Sequence, residues 1–271
     1  MADPLAGEAR ETRICASTGL ALVSGPVAAF RIARESYGPL DPPPRAPSDD
    51  RRTWGRYDTT GRSIYAADER LTAFMEMLAP YRTRVDEQRR ALQPLAASLG
   101  RDLDELWNEI VSEWDASGSM RASWLPSVFR EGRALYTINF PKGWWVDTTA
   151  TETIAALQDD LSGLAWPTTT GKLDETLTLA DFTGPDRAFT TSIASFLRED
   201  VVLDDGSQPL GVQFISKHGR PSGASGICWA YWMRGVDQGL SESTTIAATA
   251  PILEDDADLQ RALKLCKIRS R

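Results

Sequence analysis

The stretch GRSIYAADERLTAFMEML, residues 61–78, decides how the chain is read. SIYAA is a short run of apolar and aromatic residues that predicts a buried strand carrying Tyr65. Asp68 then stands where an N-cap belongs. Leu71, Phe74, Met75 and Leu78 recur at i, i+3, i+4 and i+7, which predicts an amphipathic helix closed by Pro80. Glu76 is the acidic residue amid Phe74, Met75, Met77 and Leu78. At about 100° per residue it lies roughly 140° from Leu71, off the apolar stripe. A solvated glutamate is the plain reading of such a position, and a carboxylate turned into a cleft is the other.

Upstream, VAAFRIA (27–33) reads as a strand carrying Arg31. YGPLDPPPRAPSDDRR (37–52) holds five prolines and no period, so it is loop. A loop of that length inside a domain is more often functional than idle. Residues 1–25, rich in Gly, Ala and Ser, are expected to be poorly ordered.

Downstream the texture turns helical. Leu103, Leu106, Trp107, Ile110 and Trp114 fall on one stripe with acids opposite, and Leu92, Leu95 and Leu99 precede Gly100. This predicts a helical hairpin inserted over about 81–130, serving as a packing lid or as a surface for homo-oligomers. The β texture returns with ALYTINF (134–140) and WWVDTT (144–149). Thr149 and Glu152 form a capping-box pattern ahead of a helix through TIAAL. TLTLADF (176–182) reads as a strand. Pro185 opens a helix with Phe189, Ile193, Phe196 and Leu197 on one face. LGVQFISKHG (210–219) and ICWAYWM (227–233) read as strands, and a last helix follows Asp255. Strands and helices mix without a βαβ rhythm, and GRPSGASG (219–226) does not stand between strand and helix as a dinucleotide fingerprint must. The fold class is α+β, one domain over 26–271 with a helical insertion.

Composition narrows the chemistry. The 271 residues are 42% apolar and 25% charged, as in a soluble globular protein. The first residues lack the basic start and apolar run of a signal peptide, and no run of eighteen apolar residues offers a membrane span. A cytoplasmic protein is the expectation. Three scattered cysteines and one histidine, His218, leave no zinc site of the usual spacing. The same scarcity removes most Ser-His and Cys-His catalysis, and His218 reads as a loop or strand-end residue. A net charge of −8 argues against a nucleic-acid surface, which needs clustered Lys and Arg. It leaves room for a small anion, because a few arginines converging on one cleft would stand out in an acidic protein.

Taken in order, Arg31, Arg56 in W-G-R-Y, Tyr65, Glu76 and Ser216 in F-I-S-K-H-G form a series whose spacing resembles the RES domain family. The resemblance rests on R-I at 31–32, G-R-Y-D-T-T-G-x-x-I-Y-A-A, T-A-F-M-E, and the late G-V-Q-F-I-S-K-H-G with C-W-A. It spans two blocks, about 27–80 and 134–235. It implies an ADP-ribosyltransferase-like mixed β core with flanking helices. It also implies the toxin of a toxin–antitoxin module, partnered by an Xre-like antitoxin. Such an enzyme consumes NAD+ as substrate and needs no cofactor or metal. Hydrolysis or phosphorolysis of the nicotinamide–ribose bond is one activity the family carries. ADP-ribosylation of a cellular protein is another, and a non-catalytic interaction module on the same fold is the alternative of a different class.

The resemblance places Glu76, Arg56 and Tyr65 in catalysis and Arg31, Arg56, Tyr65 and Ser216 on NAD+. The residue types suit the task. A carboxylate stabilises a ribose oxocarbenium, arginines fork onto a pyrophosphate, and an aromatic face meets the cationic nicotinamide ring. Each residue also has a bland reading: Arg56 paired with an acid, Tyr65 in the core, Ser216 incidental. Arg62 and Lys217 compete as phosphate contacts.

Overall fold

The computed structural model describes residues 10–25, 27–82, 85–117, 124–161 and 176–270. The chain runs through β1 (Thr12–Ile14), β2 (Ala21–Ser24), β3 (Ala28–Arg34), β4 (Ser63–Ala67) and α1 (Arg70–Leu78). Then come α2 (Val85–Ala91), α3 (Gln93–Leu99), α4 (Leu103–Ala116), β5 (Trp124–Leu125) and α5 (Ser127–Glu131). β6 (Arg133–Asn139), β7 (Trp144–Asp147), α6 (Thr151–Leu161), α7 (Leu179–Thr183) and α8 (Arg187–Glu199) follow. The last elements are β8 (Gly211–Ile215), β9 (Ile227–Trp232), α9 (Arg234–Asp237), β10 (Thr245–Pro251), α10 (Ala257–Cys266) and β11 (Arg269–Ser270).

Nine strands form one sheet in the order β1-β2-β7-β8-β9-β4-β3-β6-β10, and β5 and β11 pair separately. Neighbours are antiparallel except β7 and β8, so the architecture is mixed α and β with a large mixed sheet. Alternation along each strand divides the core between two faces. Val146, Val212, Phe214, Cys228 and Ala230 join Phe74, Leu78, Ile193, Leu197 and Leu263 of the helices on one face. Trp145, Trp229, Tyr231, Ile64 and Ala66 pack on the other, with Phe140 and Ile138. There Trp145 and Trp229 meet at 5.0 Å between ring centroids, and Phe140 lies 5.0 Å from Tyr231.

Strands β3 and β4 share a single paired position, Phe30 with Ala67, whereas β3 pairs with β6 along its whole length. The sheet therefore splits between β3 and β4. Helix α1 crosses that split, held from behind by α10: Leu259, Ala262, Leu263 and Cys266 are buried, and Cys266 Sγ lies 3.9 Å from Met75 Sδ.

Several sequence expectations change. Within residues 1–25, residues 1–9 lie outside the described residues; of the rest, β1 and β2 lie in the sheet and Leu20 and Leu22 are buried, although Gly, Ala and Ser around them mask the signal. Asp68 is not the N-cap of α1. The helix starts at Arg70 after Glu69, and the Asp68 carboxylate accepts from Arg10 at 2.8 Å and from Trp229 Nε1 at 2.8 Å. Thr149 forms no capping box with Glu152; its hydroxyl donates to Asp147 at 2.7 Å, and the helix begins two residues later. TLTLADF is no strand. The Thr178 N–H and hydroxyl both donate to Asp181, each at 2.8 Å, which starts α7 instead. In the segment read as a helical insertion, α2 to α4 are helices, and Trp107 meets Trp114 edge to face at 5.7 Å. Residues 83–84 and 118–123 of that segment lie outside the described residues. No helix among the described residues is long and apolar enough to cross a membrane.

Candidate active site

The split in the sheet opens a cavity of about 290 Å³. Arg31 and Phe30 come from β3, Tyr65 from β4, Glu76 and Met77 from α1, and Phe214 from β8. The helical wheel and the structure agree on Glu76: it lies off the buried stripe of Leu71, Phe74, Met75 and Leu78, and is half-buried where α1 overhangs the cavity.

Glu76 is held from one side. The hydroxyl of Ser216, buried just past the end of β8, donates to Glu76 Oε1 and accepts from the His218 N–H at 3.1 Å. On the other wall Arg31 reaches across the split and donates from Nη1 to the Tyr65 carbonyl at 2.7 Å. Its Nε is buried and has no hydrogen-bond partner among the described residues. Burial pulls the Arg31 guanidinium down to about 10, with Tyr65 and Asp58 opposing.

The W-G-R-Y-D turn is organised by Tyr65 and Asp58. The Tyr65 hydroxyl accepts from the Tyr57 N–H at 2.8 Å, and a Cβ on Gly55 would lie 2.5 Å from that oxygen. Only glycine leaves room there. Asp58 Oδ2 accepts from the Gly55 N–H at 2.8 Å and from Arg45 Nε at 2.9 Å. Burial first, then the Asp58 charge, pushes the Tyr65 phenol well above its ordinary value, so it stays protonated. Its ring lines the cavity, edge-on to Phe214 at 6.2 Å.

Arg56 stands next to this cavity rather than among the residues lining it. Arg56 is 6% exposed, and its guanidinium lies 5.7 Å from the Phe214 ring centroid. It is positioned by the last carbonyls of α7, which a helix end leaves without intrahelical donors. Tyr57 Oη donates to Phe182 O at 3.1 Å, Arg56 Nη2 to Thr183 O at 3.1 Å, and Arg187 Nη1 makes a long contact of 3.4 Å to Gly184 O. Arg56 Nε and Nη1 are buried without partners among the described residues. A buried donor left unpaired costs about 1–3 kcal/mol, which a ligand oxygen would relieve.

The sequence reading singled out neither Arg187 nor Arg82 and put His218 at a loop or strand end. Burial, then Arg56, lowers the Arg187 guanidinium. Lys217, exposed at the rim, is lowered first by partial desolvation and then by Arg187 and Arg56, with Glu76 opposing. His218 is lowered by burial and by Lys217, Arg56 and Arg82, again against Glu76. Arg56, Arg187 and Lys217 thus form one group of cations that act on each other, in a protein of net charge −8, and Glu76 offsets them at Lys217 and His218. Of the competing phosphate contacts, Lys217 belongs to this group. Arg62 does not: it pairs with Asp237 at 3.3 Å and lines a different cleft.

No protein-family model matches the chain, and no curated protein matches it. Among solved structures, the crystal structure of the M. tuberculosis MbcT-MbcA toxin-antitoxin complex matches with 12% identity and a TM-score of 0.39. The match covers 91% of this chain and 92% of that one. A likeness this shallow carries neither fold nor function across.

Proposed function

We propose that this chain is a NAD+-consuming enzyme that cleaves the nicotinamide–ribose bond. It acts as the growth-arresting toxin of a toxin–antitoxin module whose Xre-like antitoxin holds it in check. The observation that carries the reading is Glu76: a carboxylate anchored by Ser216, overhanging a cavity whose other walls bring Arg31, Tyr65 and Phe214.

The chemistry asks for little else. When the glycosidic bond of NAD+ breaks, its electron pair goes to the pyridinium nitrogen, so nicotinamide leaves neutral and no acid is needed. Positive charge grows on the ribose, and a fixed carboxylate beside it stabilises the transition state. An acceptor hydroxyl then adds to the ribose carbon and releases its proton to Glu76 or to solvent. Tyr65 and Phe214 offer aromatic faces to the departing ring. A cavity of about 290 Å³ suits the nicotinamide–ribose end of the dinucleotide. The unpartnered donors of Arg56, with Arg187 and Lys217 beside them, suit the diphosphate.

The test is purified protein incubated with NAD+, with and without inorganic phosphate, and products resolved by mass. Nicotinamide release that vanishes in Glu76→Ala supports the reading. Folded protein that turns over no NAD+ under either condition overturns it. Labelled ADP-ribose on a polypeptide would replace it with protein modification. In cells, expression of the parent chain arrests growth, Glu76→Ala does not, and antitoxin co-expression restores growth.

A further inference from the structure

The proline-rich loop of residues 37–52 lines no part of the Glu76 cavity, yet it is pinned to the turn before β4. Arg45 and Gly61 form an antiparallel bridge, with Arg45 N donating to Gly61 O at 2.7 Å and Gly61 N to Arg45 O at 2.9 Å. The bridge sets Arg45 beside Arg62 at the mouth of a second cleft of about 570 Å³, larger than the Glu76 cavity and sharing no lining residue with it. Arg198 and Arg234 line it as well.

Four arginines line this cleft against two carboxylates, Asp237 and the exposed Glu199. Asp237 is shared, accepting from Arg62 Nη1 at 3.3 Å and from Arg198 Nη2. Arg234 makes no hydrogen bond to a carboxylate: its two Nη atoms donate to the carbonyls of Pro209 and Arg198, and Glu199 acts on it only through its charge. Burial and Arg198 draw its guanidinium down to about 10. At the mouth, Arg45 uses only Nε, on Asp58, and Arg62 Nε is buried without a partner among the described residues. The backbone is shaped for this arrangement. Gly61 has φ +94°, and a Cβ there would collide with the Asp237 carboxylate and lie 2.9 Å from Arg198 Nη1.

We infer that this cleft is a second anion site, in which Arg45 and Arg62 fork onto the phosphate group of a small ligand over the positive floor made by Arg198 and Arg234. Guanidinium forks match phosphate oxygens in geometry and charge. The site differs from the Glu76 cavity in that no aromatic side chain lines it, and its Asp237 carboxylate is taken up by Arg62 and Arg198. It meets the Glu76 site at one residue. Asp58, the partner of Arg45, also holds the Gly55 N–H beside Arg56.

The test is a titration of the full chain with inorganic phosphate, and separately with adenosine monophosphate, followed by amide and imidazole NMR. The expected result is that the Gly61 and Arg62 amides shift saturably while the His218 ring does not follow the same curve. Tighter binding of the nucleotide identifies a nucleotide ligand, and equal binding identifies free phosphate. Arg45→Gln and Arg62→Gln should each weaken the binding about tenfold, as loss of a charged hydrogen bond does. Arg56→Gln should leave the Gly61 curve in place. Unmoved Gly61 and Arg62 amides in the parent chain, or an unchanged curve in a folded Arg45→Gln/Arg62→Gln double variant, would overturn the inference. Should that pair unfold, Arg45→Lys keeps the charge and removes the fork; undiminished binding there counts against the proposal.

Discussion

Ser216 Oγ donates to Glu76 Oε1 and in the same position accepts the His218 N–H at 3.1 Å, so one hydroxyl joins the end of β8 to helix α1. The two residues are 140 positions apart in the chain.

Removing that hydroxyl separates orientation from binding. Ser216→Ala leaves Glu76 in place but frees its rotamer, so kcat for nicotinamide release should fall about tenfold or more, the scale of a hydrogen bond to a charged group. KM for NAD+ should change little. Steady-state kinetics read both, and a KM effect without a kcat effect would place Ser216 on substrate instead.

Arg56 is anchored by one hydrogen bond and leaves two donors unpaired. Its replacement should therefore disturb folding less than binding. In Arg56→Gln the dissociation constant for NAD+ should rise about tenfold to a hundredfold, while the melting temperature stays within a few degrees. A large loss of melting temperature would make Arg56 a structural residue that caps α7.

Gly211 lies where β8 meets β9, and a Cβ on it would sit 1.9 Å from the Ala230 carbonyl oxygen. The obstacle is backbone, which cannot turn aside as a side chain does. Gly211→Ala should cost about 3 kcal/mol or more, read as a lowered denaturation midpoint. The loss should exceed that of Gly132→Ala, where φ is −94° and a Cβ meets only Val128 O at 3.5 Å.

His218 gives the fold a pH dependence of predictable sign. Burial, with Lys217, Arg56 and Arg82, holds it below its ordinary 6.5, and Glu76 only partly offsets them. The unfolded chain therefore binds more protons just below that value, so stability rises with pH through this window and falls on acidification. Melting temperature should drop between about pH 7 and about pH 5. His218→Gln should flatten that part of the profile. A parallel profile in the variant would assign the slope to carboxylates elsewhere.

Period and punctuation made much of this architecture legible. SIYAA, ALYTINF, GVQFI and ICWAYW are strands because their alternation reaches both faces of one sheet. The helices at 70–78, 187–199 and 257–266 follow their apolar faces. Capping was not legible, because other partners competed for the capping side chains. Asp68 was drawn off by Arg10 and Trp229, and the cap of α8 is Asp186, through the Phe189 N–H, one residue past the Pro185 that marked the helix start. The converging cations were hidden for another reason. Arg56, Arg187 and Lys217 are brought together by the carbonyls at the end of α7 and by the end of β8, and α7 itself read as a strand. Arg31 and Glu76 share a cavity because β3 and β4 part after one pair, a property of register that no local pattern carries.

Helix α10 adds a constraint in time. It supports α1 through residues such as Cys266, 191 positions beyond Met75, and Arg70 pairs with Asp256 from the same region. At roughly 5–20 residues per second of synthesis, Glu76 leaves the ribosome about ten seconds or more before its supporting helix exists. A nascent chain thus carries the carboxylate without its seat, and the cell meets a complete site only once residues 257–266 have been made.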